Sequence, residues 1–68
     1  MTVQFKDMQE NVPYRWAGNA EWGIDEALAL TERHYIKIGE KLIDQLTKRD
    51  VANVALRLED VFIRVTEL

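Results

Sequence analysis

Chemistry that needs a serine or cysteine nucleophile is closed to this chain, whose 68 residues contain no Ser, no Cys and a single histidine, His34. A thiolate metal site is excluded on the same ground. A lone imidazole with no motif around it makes a poor ligand or base, and no glycine-rich phosphate loop is present. What remains is binding chemistry. Tyr14 and Arg15 are adjacent and offer a stacking face and a cation to a flat anionic ligand. Arg33, Lys37 and Lys41 recur at four-residue spacing, which on a helix is either a basic strip or a solvated face balanced by Glu40 and Asp44. Glu32, Glu40 and Asp44 could approach a divalent cation, although acids on an exposed helix are usually just solvated. The expectation is a protein that is not an enzyme and carries no cofactor.

Twelve acidic against nine basic residues leave a formal charge of −3. That balance argues against general binding to DNA, RNA or an anionic membrane surface, while leaving room for a local basic pocket. No apolar run approaches the roughly 18 residues of a membrane span, and no signal peptide is readable, so a cytoplasmic setting is expected. The length suits one domain over residues 1–68. A chain this short buries only about 60% of its unfolded surface. Without disulfides, self-association is the most economical source of further burial.

Several elements must position these groups. Residues 1–23 read as an arm or a short helix, with Val3 and Phe5 alternating and Pro13 holding Val12 extended. Tyr14, Trp16 and Trp22 sit among Gly18 and Gly23, a turn-rich segment whose rings could latch onto apolar surface. From Ile24 to Lys48, Ile24, Leu28, Thr31, Tyr35, Ile38, Leu42 and Leu46 follow three-four spacing with one polar interruption, which predicts a helix over 24–48. Gly39 would then lie mid-helix, at a cost of about 1 kcal/mol relative to Ala. Val51, Val54, Leu58, Val61, Val65 and Leu68 repeat the spacing, predicting a second helix over 50–68, with Asp50 accepting a bond from Ala52 or Asn53. A strand over Asp60–Leu68 is the alternative there, because β-branched residues favour strands. One continuous helix from Ile24 to Leu68 is another. The expected fold is all-α: a helical hairpin with an N-terminal arm, assembling into a homo-oligomeric bundle with Phe62 in its core.

A resemblance enters at the second of these segments. Arg49, Ala52 and Asn53, followed by Leu58-Glu59-Asp60-Val61-Phe62-Ile63, resemble a pattern in phage anti-CBASS sponge proteins, helical hairpins that sequester the cyclic oligonucleotide messengers of bacterial immune enzymes. Tyr14-Arg15 is similar to that family's Tyr-Arg pair, and Ile36-Lys37-Ile38-Gly39 to its Ile-Lys-x-x-Gly segment. Asn53 stands where the family has Thr, and Lys37 is one residue nearer the glycine than the pattern asks. The resemblance implies a cyclic trinucleotide site at Arg49, Ala52 and Asn53. It implies a cyclic dinucleotide site at Tyr14, Arg15 and Lys37. It further implies a homo-oligomer such as a hexamer, in a host bacterial cytoplasm. The competing expectation is a small oligomeric adaptor that binds another protein through an apolar helical face.

Overall fold

The computed structural model describes residues 1–67, and Leu68, the last member of the expected second apolar stripe, lies outside them. Over the described residues the fold is a six-stranded antiparallel sheet with one short α-helix, not a helical hairpin. Its strands are β1 (Val3–Gln4), β2 (Pro13–Asn19), β3 (Gly23–Ile24), β4 (Tyr35–Ile38), β5 (Lys41–Asp44) and β6 (Val61–Arg64). They pair in the order β1-β6-β2-β4-β5, with β3 alongside the end of β2. Helix α1 spans only Ala52–Arg57, and single 3-10 turns cover Phe5–Asp7, Glu26–Leu30 and Val65–Glu67.

The expected helix over 24–48 is replaced by a 3-10 turn and a β-hairpin. Tyr35-Ile36-Lys37-Ile38 pairs with Lys41-Leu42-Ile43-Asp44, Ile38 opposite Lys41, around Gly39-Glu40. A two-residue hairpin loop asks for positive φ at its first central residue, which glycine adopts without steric cost. Gly39 has φ +61°. The glycine read as a helix defect is therefore the first residue of a hairpin turn. Lys37 and Lys41 fall on different strands, so the basic strip expected from four-residue spacing does not form.

The expected helix over 50–68 stops after six residues. Asp50 Oδ1 does accept the amide of Ala52, at 3.0 Å, and also that of Leu42, at 3.0 Å. One carboxylate thus joins the start of α1 to β5, and these two bonds hold the Asp50 pKa below its ordinary value. At the other end Glu59 takes φ +52°. The Asp60 amide returns to Ala55 O at 2.9 Å and that of Glu59 to Leu56 O at 3.4 Å. This is a Schellman ending built on a residue other than glycine, so the sequence carries no glycine to announce it. The chain then enters β6, and the alternative strand reading holds for Val61–Arg64.

Strand β6 lies between β1 and β2, with Val3 opposite Phe62 and Trp16 opposite Phe62 on the other side. Its two faces feed two cores. Phe62 joins Phe5, Met8, Tyr14, Leu42, Ala52 and Ala55 beneath α1. Ile63 joins Ala17 and Ala29 beneath the 26–30 turn. The burial expected of Phe62 is present, at 1% exposure, but in a sheet core. The N-terminal segment is no loose arm, since β1 extends the sheet and Phe5 and Met8 are buried.

Candidate functional site

A cavity of about 310 Å³ opens between the sheet and α1, with Trp16, Trp22, Tyr35 and Phe62 among its lining rings and Val54 and Leu58 on the helix side. Its placement begins with a β-bulge. Trp16 faces Phe62, but Gly18, not Ala17, faces Val61, so β2 carries one extra residue at this point. Gly18 takes φ +126° there. The kink lets β2 turn back into β3 across Ala20-Glu21-Trp22. Buried Asn19 closes the loop by accepting the Trp22 amide on Oδ1 at 2.7 Å. Trp22 is 72% exposed yet held against Trp16, with ring centroids 6.1 Å apart at 88°. Two perpendicular indoles form a corner at the mouth.

Two buried carboxylates line the same space. Asp44, on β5, spends Oδ1 on the amides of Leu46 (2.9 Å) and Thr47 (3.5 Å), while Oδ2 faces Arg33 Nη1 at 3.6 Å. Asp60 lies just before β6. Burial raises its pKa, opposed by the Trp16 indole and the Asn19 amide. That opposition is incomplete, because Asp60 Oδ1 and Asn19 Nδ2 both lack a hydrogen-bond partner of good geometry. Tyr35 completes the group. Burial and then the charge of Asp44 raise its phenol pKa, while Arg33 pulls the other way.

The raised pKa of Asp60 has a thermodynamic signature. The folded state holds this proton more tightly than the unfolded chain does, so acidification stabilises it. The gain begins as pH falls through the raised pKa and is complete below the ordinary value of 3.8. Asp50 acts in the opposite sense, its contribution being lost as pH falls below 3.8 through its lowered pKa. Asp60→Asn should therefore raise the melting temperature most near about pH 7, the difference from wild type shrinking toward about pH 4. Paired thermal melts across that range check it, and a pH-independent difference would contradict the assignment.

The residues expected to bind cyclic nucleotides lie elsewhere. Arg49 and Asn53 are exposed around the start of α1, but Ala52 between them is buried in the main core. Tyr14 is 2% exposed, and its hydroxyl accepts the Gln9 amide at 3.1 Å, so its ring has no free face on which to stack a base. Arg15 donates to the carbonyls of Thr31 and Ala29. Lys37 Nζ donates to the Phe5 carbonyl at 3.2 Å and rests 5.0 Å from the centre of the Phe5 ring. Both cations are thus engaged with backbone on separate parts of the surface. Of the expected latch, Tyr14 is buried and Trp16 half-buried, whereas Trp22 stands in solvent.

Asn19, Arg33, Tyr35, Asp44 and Asp60 carried no mark in the sequence as one site. The only legible signal was the pair of tryptophans six residues apart around Gly18. Among the described residues no group of three or more His, Asp or Glu could hold a metal ion. No helix among them is long and apolar enough to cross a membrane. No protein-family model, curated protein or solved structure matches the chain.

Proposed function

We propose that this chain is a non-catalytic binding module that takes a cationic group of a basic partner protein into the cavity beside Trp16 and Trp22. The observation that carries the reading is the meeting of four aromatic rings with two buried carboxylates in one space. Aromatic faces attract cations through their quadrupole, more strongly where water is excluded. Asp60 adds a carboxylate whose Oδ1 has no hydrogen-bond partner among the described residues. The net charge of −3 extends the same preference to long range, steering basic partners toward the chain.

Calorimetry and tryptophan fluorescence with a lysine-rich peptide, a glutamate-rich peptide and a panel of cyclic di- and trinucleotides test the reading. The lysine-rich peptide should bind, more weakly as salt rises, and the glutamate-rich one should not. Trp22→Ala should weaken binding by about tenfold while leaving the fold intact, since the ring is already 72% exposed. A cyclic nucleotide that binds instead, and is lost with Arg49→Ala, would overturn this reading in favour of messenger sequestration.

A further inference from the structure

Resting on that reading, we infer that the group this cavity selects is a quaternary ammonium, the head of a trimethylated lysine, rather than a bare ammonium or a guanidinium. The inference comes from counting acceptors. A lysine ammonium brings three N–H donors and a guanidinium five, and each must be satisfied once removed from water. Among the described side chains that line it, the cavity offers few free acceptors, the Tyr35 hydroxyl being paired with Arg33. Both oxygens of Asp44 are engaged, Oδ1 by the amides of Leu46 and Thr47 and Oδ2 facing Arg33. The side-chain oxygen of Asn19 is taken by the Trp22 amide. Asp60 Oδ1 is open but sits on a residue only 8% exposed, where it can supply charge more readily than several directed bonds.

A cation with no N–H donors avoids this deficit. A quaternary ammonium spreads its charge over four carbons, gives up less hydration, and is held by ring faces and by a nearby charge at no fixed angle. The edge-to-face indoles of Trp16 and Trp22 border such an enclosure, and Tyr35 lines the same cavity. Arg33 faces the Asp44 end at 3.6 Å and offsets its charge from within the chain. That leaves the Trp16–Trp22–Asp60 end for the ligand.

The test uses two small probes, N-acetyl-lysine-amide and its Nζ-trimethylated form. The readout is the indole N–H resonances of Trp16 and Trp22, the two tryptophans of the chain. The trimethylated probe should bind about tenfold more tightly and shift both resonances. Trp22→Ala should abolish the preference, and Trp22→Phe should restore part of it. Choline chloride separates the sources of the same cation. Equal affinity places recognition in the ammonium alone, tighter binding of the lysine probe places it on a protein side chain, and either supports the class. Equal or tighter binding of unmodified lysine would overturn this inference while leaving the cation-binding function standing. Failure of every cationic probe to move either resonance would overturn both.

Discussion

Replacing Phe62 with alanine is expected to remove most of the stability of the fold at room temperature. The ring is 1% exposed and is among the largest fully buried side chains of the fold. It lies edge-on to Tyr35, with ring centroids 5.5 Å apart at 64°, and its strand is paired on both sides. Truncating such a ring costs about 3–5 kcal/mol, from lost transfer energy and the void left behind. Small domains lie toward the lower end of the usual range of about 5–15 kcal/mol, so this loss takes most of what is available. Urea titration followed by circular dichroism measures it. Phe62→Leu should retain much of the stability, and a loss below about 1 kcal/mol for Phe62→Ala would place the ring outside the core.

The second large effect is expected at Gly18, and its comparison with Gly23 is the informative part. Both have positive φ, +126° and +89°, so a side chain at either position is strained. Such strain costs about 1–3 kcal/mol. Around Gly23 an added Cβ meets nothing within 4 Å, whereas at Gly18 it would lie 2.3 Å from Gly23 O and 2.8 Å from Ile24 Cα. Those neighbours are backbone and cannot rotate away. Gly18→Ala must therefore push β3 off β2 and should be clearly more destabilising than Gly23→Ala. It should also disturb the cavity, because Asn19 holds the Trp22 amide from the next position along β2. Chemical denaturation of both variants checks the order. Equal losses would mean that the close approach of β2 and β3 at the bulge is not there.

Helical spacing misled the reading of residues 24–68 for identifiable reasons. With 47% of the residues hydrophobic, a three-four series can be threaded through nearly any long stretch. The strands that occupy this region are short, β4, β5 and β6 having four residues each, too few periods for alternation to compete. In β6 even the alternation is lost, because Phe62 and Ile63 point into separate cores and both must be apolar. Gly39 was the residue that could have decided otherwise, flanked by Ile36-Lys37-Ile38 and Lys41-Leu42-Ile43. It is a hairpin signal once a period of two is tried on both sides.

The sequence by itself determined what depends on residue type and on neighbours in the chain. It excluded serine and cysteine chemistry, placed the acidic charge balance, and marked Phe62 for burial. It offered Asp50 as acceptor for the amide of Ala52 or Asn53, the first of which forms, whereas the turn-rich segment expected over Tyr14–Gly23 is for the most part strand β2. Tertiary structure alone decided the pairing of Val3 with Phe62, the stacking of α1 on the sheet, and the cavity itself. That cavity draws Trp16, Trp22, Tyr35, Asp44 and Asp60 from five separate segments. Their meeting depends on one inserted residue in β2 and on where two turns close. The energy that selects those closures is the burial of side chains distant in sequence, and no local pattern records it.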